Sequence, residues 1–240
     1  MNINLQNKVA LVLGGTGPVG TAICKQLSSS GAKVVTDYQT DNIEQWQNDL
    51  KQSGVEVTAF KADITDFDSC IKLVATIEET VGQIDIIVNS PELVGEPQPF
   101  HLMDKSQWDD SLSTHIDTIF NVCRNLAEKM SNRGFGRIIN ISSIISRMGQ
   151  AGHTHHAAAK AGLHGFTMAL AQELARKGVT VNTISPGYFP LVEQEVPATI
   201  PAARAGKADE IASLVDFLCS EKAAYINGTD IAINGGQYMH

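Results

Sequence analysis

The stretch HTHHAAAKAGLHG, residues 153–165, sets an imidazole at His156 and an ammonium group at Lys160. Positions four apart on a helix lie one above the other on the same face. Imidazole is a general acid–base group with an ordinary pKa of about 6.5. A lysine one turn away disfavours its protonated form, because like charges repel. On these grounds His156 is expected to stand as a base near neutrality. A second candidate is GGTGPVG, residues 14–20, in which Gly15, Gly17 and Gly20 spell G-x-G-x-x-G. Such glycines permit a tight turn and let backbone N–H groups approach a pyrophosphate at the positive end of a helix. Gly14, Thr16, Gly17, Val19 and Gly20 are therefore candidate contacts to a dinucleotide. A third is Asp37, which follows the apolar run at 33–36. A carboxylate there would bond a ribose and repel a 2′-phosphate, and no lysine or arginine follows until Lys51. The cofactor expected is NAD or NADP, with Asp37 leaning the choice to NAD.

The other clusters carry less chemistry. His153, His155, His156 and His164 are close in sequence, but H-x-H-H matches no familiar zinc spacing. Adjacent residues of a helix point about 100° apart, so His155 and His156 make poor joint ligands. No metal is expected. Cys24, Cys70, Cys123 and Cys219 form no C-x-x-C pair and read as reduced structural thiols of a cytoplasmic protein.

Positioning these groups requires a scaffold, and the apolar pattern supplies one. Runs at 8–13, 33–36, 55–62, 85–89, 137–142, 179–185 and 230–234 are rich in β-branched residues and mostly lack polar alternation. That is the mark of a parallel sheet covered on both faces. Between them, Phe67, Cys70, Ile71, Val74, Ile77 and Val81 recur at helical spacing, as do Trp108, Leu112, Ile116, Ile119, Cys123 and Met130. Strand and helix alternate with short connections, and right-handed crossovers then give a doubly wound α/β sheet of about seven strands. No linker interrupts the pattern, so residues 1–240 are expected to form a single Rossmann-type domain. The chain of 240 residues carries a formal charge of −8 and is 43% hydrophobic. That balance argues against nucleic acid or an anionic membrane as partner. No stretch approaches membrane-spanning length.

With these residues in place the chain resembles the short-chain dehydrogenase/reductase family, and within it the 3-oxoacyl-reductase-like members. ADITD (62–66) looks like the family's adenine-contacting turn, which gives Asp63 and Ile64 that role. DIIVN (85–89) matches the fourth strand and ends on Asn89. GRIINISS (136–143) is similar to the strand that delivers the catalytic serine, which falls on Ser143. HAAAKAGLHGF (156–166) resembles the helix whose tyrosine and lysine stand four apart; the lysine also binds ribose hydroxyls. ISPG (184–187) brings Pro186 and Gly187 near the nicotinamide, and 225–236 matches the last strand. The resemblance implies a hydride transfer between nicotinamide and a carbonyl carbon, and a homodimer or homotetramer paired through the small residues Ala157–Ala159, Ala161 and Gly162.

The departures are as specific as the matches. The family's tyrosine falls on His156 and its asparagine on His115, which the apolar stripe between Leu112 and Ile119 also allows to be a core histidine. The neutral turn after the fourth strand carries Glu92, Pro18 stands in the glycine loop, and the threonine that would hold the carboxamide falls on Leu191. Tyr188 offers a phenol beyond Pro186-Gly187. Two readings follow: an oxidoreductase acting on a small alcohol or carbonyl through Ser143, His156, Lys160 and His115, or a catalytically silent nucleotide-binding protein.

Overall fold

The structure, a computed structural model, describes residues 3–39, 43–92, 95–190 and 195–239. Seven strands alternate with helices in chain order: β1 Val9–Leu13, α1 Pro18–Ser29, β2 Lys33–Tyr38, α2 Ile43–Gln52, β3 Val57–Lys61, α3 Phe67–Thr80 and β4 Ile84–Asn89. The second half runs α4 Lys105–Leu112, α5 Thr118–Arg133, β5 Gly136–Ile141, α6 Ile145–Met148, α7 Thr154–Leu174, β6 Val179–Pro186, α8 Ala208–Cys219 and β7 Asp230–Ile233. The strands form one parallel sheet in the order β3-β2-β1-β4-β5-β6-β7. The order reverses between β1 and β4, and in such sheets the crevice beyond the carboxyl ends at that reversal is where ligands bind.

The unbroken apolar runs have the reason expected of them. Ala10 and Val12 of β1 join a core with Ile23 and Leu27 of α1 and Val215 and Leu218 of α8. The alternate residues Leu11 and Leu13 join a second core with Val74 and Ile77 of α3, Leu126 of α5 and Leu163 of α7. These β1 residues thus point alternately into one core and the other, as the period of two in a strand requires. All four cysteines are buried and free. Burial pushes the Cys24 thiol up to about 12, so it packs as an inert apolar group.

Two expectations about elements need correction. The run 33–36 is the start of a longer strand, since β2 continues through Asp37 to Tyr38. The helical stripe from Trp108 to Met130 belongs to two helices joined by a π-helical turn at Ser113–Asp117. The wider turn adds a residue without breaking the apolar face, so residue spacing alone does not reveal it. Among the described residues, no helix is long and apolar enough to cross a membrane.

Candidate active site at the carboxyl edge

The glycine loop leaves β1 in a left-handed turn, with Gly14 at φ 71°. Its first amides are taken by β2: Gly14 N–H donates to Asp37 Oδ1 at 2.8 Å and Gly15 N–H to Thr36 Oγ1 at 3.1 Å. Gly20 has no room for a side chain, because a Cβ there would lie 2.2 Å from Gly14 O. Gly17 caps α1, Pro18 occupies the first helical position, and Thr16 is exposed on the crest of the loop. Proline there costs no intrahelical bond, since the first amides of a helix have no internal acceptor. The loop therefore keeps an anion-binding helix start despite Pro18. An anion already sits there: Val19 N–H donates to Glu92 Oε1 at 3.3 Å.

Asp37 is buried, and loss of water pushes its carboxyl up to about 6 against the lowering effect of the Gly14 amide. Beyond β3, Asp63 and buried Ile64 form a tight turn in which Asp63 Oδ1 accepts from Thr65 N–H at 3.0 Å. Asn121 Nδ2 braces that turn through Thr65 O at 3.0 Å. Asn89 ends β4 beside Leu13 and Asn140 and is 1% exposed. Neither polar atom of its amide has a hydrogen-bond partner among the described residues. A cradle too tight for Cβ atoms, a helix start holding a carboxylate and an orphaned buried amide all fit a dinucleotide laid across this edge.

The catalytic candidates gather on the β5 side. Ser143 follows β5 half-buried, its Oγ accepting from Ile145 N–H at 3.3 Å. Ile144 N–H donates to Pro186 O at 2.9 Å and Gly187 N–H to Ile233 O at 2.9 Å, which pins the serine turn to the Pro186-Gly187 turn and β7. On α7, His156 and Lys160 are both buried. The π turn swings His115 onto the same site, with its ring centroid 5.2 Å from that of His156 and the planes at 77°. His115 is thus a buried histidine that also neighbours the candidate base. Lys160 Nζ donates to Ile141 O at 2.8 Å. Burial lowers its ammonium to about 7, opposed by the charge of Glu92. The cation expected beside His156 is therefore not a fixed charge at neutral pH, because it shares the cost of leaving water.

The remaining candidates have partners of their own. The Tyr188 hydroxyl donates to Glu195 O at 3.4 Å, in a small cavity also lined by Phe189 and Arg204. Leu191 lies outside the described residues. His153 caps α7 and stacks on His155 with centroids 6.3 Å apart, and no metal-holding cluster occurs among the described residues. His164 joins a cluster missed in the sequence: its Nε2 lies 3.1 Å from both Ser142 Oγ and Ser146 Oγ, and its Nδ1 3.7 Å from Asp230 Oδ2. Ser, His and Asp invite comparison with a nucleophilic triad. Here, however, both hydroxyls donate to backbone carbonyls, Ser142 to Lys160 O and Ser146 to Ser143 O. His164 Nε2 is then the donor, and Arg147 Nε already holds Asp230 at 2.6 Å. The cluster braces the turn that carries Ser143.

Residues 8–195 match the family model described as short chain dehydrogenase. The chain is 40% identical to an acetoacetyl-CoA reductase of Allochromatium vinosum, over 97% of this chain and 99% of that protein. It is 42% identical to nodulation protein G of Azospirillum brasilense, over 97% and 98%. It is 35% identical to a 3-oxoacyl-(acyl-carrier-protein) reductase of Escherichia coli, over 99% and 100%. With a family model matching most of its length and relatives of 35–42% identity over nearly the whole of both chains, the chain belongs to the short-chain dehydrogenase family.

Proposed function

We propose that this protein is an NAD-dependent oxidoreductase acting on a small 3-hydroxyacyl or 3-oxoacyl thioester through an altered proton-transfer group. The observation that carries the reading is the buried His156–His115 pair, one turn from Lys160 and on the same sheet edge as Ser143. The thioester follows from the activities for which the relatives are named, the preference for NAD from Asp37. Glycines 14, 17 and 20 with Val19 would hold the pyrophosphate, Asp37 and Lys160 the two riboses, Asp63 and Ile64 the adenine, and Asn89, Pro186 and Gly187 the nicotinamide half. When bound, nicotinamide accepts or supplies the hydride.

The chain's own groups handle the remaining proton. Ser143 Oγ–H orients the substrate oxygen by donating to it. The His156 imidazole takes the hydroxyl proton as the alcohol becomes a carbonyl, or returns it in reduction. His115, in ring contact with His156, restrains that imidazole and offers it a second polar surface. A ring that stands as base below the pH where a phenol would ionise favours oxidation over reduction. Pairing of α7 across a two-fold axis into a homodimer or homotetramer belongs to the same reading.

NADH titration followed by fluorescence, then oxidation of 3-hydroxybutyryl-CoA with NAD between pH 6 and 9, tests it. NADH is expected to bind wild type and His156→Ala alike. His156→Ala should lower kcat by roughly 10²–10⁴-fold, the ordinary worth of a positioned acid–base group. Binding without turnover in the wild type would establish the silent reading, and unchanged turnover in His156→Ala would remove His156 from the mechanism.

A further inference from the structure

We infer that Glu92 is a built-in competitor of the dinucleotide: its carboxylate occupies the seat where a pyrophosphate would lie and sets how tightly each cofactor binds. The inference rests on the dinucleotide reading above but concerns a residue that this reading does not use. Val19 is the second residue of α1, and its amide is one of the few at that helix end without an internal acceptor. It donates to Glu92 Oε1 at 3.3 Å. The carboxylate also covers the open face of the loop, since a Cβ built on Gly17 would lie 3.2 Å from Glu92 Cδ. Here the room beside Gly17, which lets a phosphate approach the backbone, is filled by the chain itself.

Topology explains the contact. Glu92 is 73 residues from Val19 in sequence, but β4 pairs with β1, and Ser90 N–H donates to Leu13 O at 3.1 Å. The segment leaving β4 therefore passes directly over the glycine loop. Glu92 is exposed, so water and a small rotation are enough to free it. It also acts on Lys160, whose ammonium its charge favours. A single carboxylate thus acts both on the helix start and on the lysine proposed for the nicotinamide ribose.

Two anions cannot share one helix start. A pyrophosphate must expel the Glu92 carboxylate, and the displaced carboxylate remains close enough to repel it. The helix dipole rewards either anion equally, so the incoming one gains only the difference. Binding should then be weaker than the cradle alone would give. The deficit should shrink with salt, because the repulsion is electrostatic and partly exposed.

The test compares wild type, Glu92→Gln and Glu92→Ala, titrated with NADH and with ADP-ribose at 20 and 300 mM NaCl. Glutamine keeps an oxygen for the Val19 amide and removes the charge; alanine removes both. Both variants should bind both ligands at least tenfold more tightly than wild type at low salt, with the gap narrowing at high salt. The ligand-free melting temperature should fall only in Glu92→Ala, which loses the cap. Equal affinities in all three proteins would overturn the role of Glu92 and leave the proposed function standing. Failure of all three to bind either ligand would overturn both, and a gain unaffected by salt would overturn the electrostatic account.

Discussion

Asp37→Asn should stabilise the ligand-free protein, and the gain should depend on pH. The carboxyl is 5% exposed and accepts from Gly14 N–H at 2.8 Å and from its own backbone amide. Burial pushes it from 3.8 up to about 6, and the amides that favour the anion only partly oppose this. A shift of that size corresponds to about 3 kcal/mol at pH 7, from 1.36 kcal/mol for each pKa unit. The sign follows from which state holds the proton more tightly. The folded carboxyl has the higher pKa, so between about 4 and 6 the folded chain binds more protons than the unfolded one. Stability contributed by this group then falls as pH rises through that window. The penalty is full above pH 6, about half as large at pH 5 and under about 1 kcal/mol at pH 4. Asparagine keeps an oxygen for Gly14 and carries no charge, although desolvating its NH2 group returns about 1 kcal/mol. Urea unfolding of both proteins at pH 7.5, 6, 5 and 4 should therefore show Asp37→Asn ahead by about 2 kcal/mol at pH 7.5 and level with wild type at pH 4. NADH affinity should fall in the same variant, since the ribose loses a charged acceptor. A stability difference that does not change with pH, or a variant less stable than wild type at pH 7.5, would refute the burial argument.

Lys160→Met should also raise ligand-free stability at pH 7, by about 2 kcal/mol after the loss of the bond to Ile141 O is counted. A lysine lowered to about 7 makes its penalty felt below that pH and sheds it as pH climbs towards 10. The advantage seen in urea unfolding at pH 7 should thus shrink at pH 9.5, while NADH fluorescence enhancement is lost at both. Gly20→Ala should cost about 1–3 kcal/mol, because the new methyl would meet Gly14 O at 2.2 Å and Gly15 Cα at 2.7 Å, both backbone atoms. NADH affinity should drop at least tenfold with it. Gly54→Ala, where nothing lies within 4 Å but φ is +74°, should cost about 1 kcal/mol and leave NADH titration unchanged.

The fold was legible because both of its signals are local. Apolar runs without polar alternation mark strands covered on two faces, and Leu11 with Leu13 facing one core while Ala10 and Val12 face the other is the arrangement those runs encode. The chemical residues were legible where spacing along one helix decides geometry, as with His156 and Lys160 on α7. What escaped is whatever depends on two distant segments. The stripe of apolar residues from Trp108 to Met130 gives no sign of a π turn, yet that turn is what brings the His115 ring to His156. The Ser142–His164–Ser146 brace joins β5, α6 and α7, and no single window contains it. Glu92 could be read as an unusual charge after β4. Its contact with Val19 follows only once β4 is known to lie beside β1.

Three ionisable groups along this edge share one physical predicament. Asp37 is a buried carboxyl with little water and no cation beside it among the described residues, Lys160 is a buried amine whose ammonium form is disfavoured by loss of water, and Glu92 holds the helix start. A dinucleotide brings complementary groups to each. In the dinucleotide reading, ribose hydroxyls can donate to Asp37 and accept from Lys160, and the pyrophosphate would take over the Val19 amide that Glu92 now engages. In the proposed binding mode, folding and cofactor binding would be coupled through the same side chains: a cost in the ligand-free chain would become binding free energy, and ligand present at a hundred times its Kd would add about 2.7 kcal/mol to stability. The three groups should not respond alike. Neutralising Asp37 or Lys160 stabilises the ligand-free chain and weakens the complex. Neutralising Glu92 strengthens the complex, because Glu92 alone is displaced by the ligand.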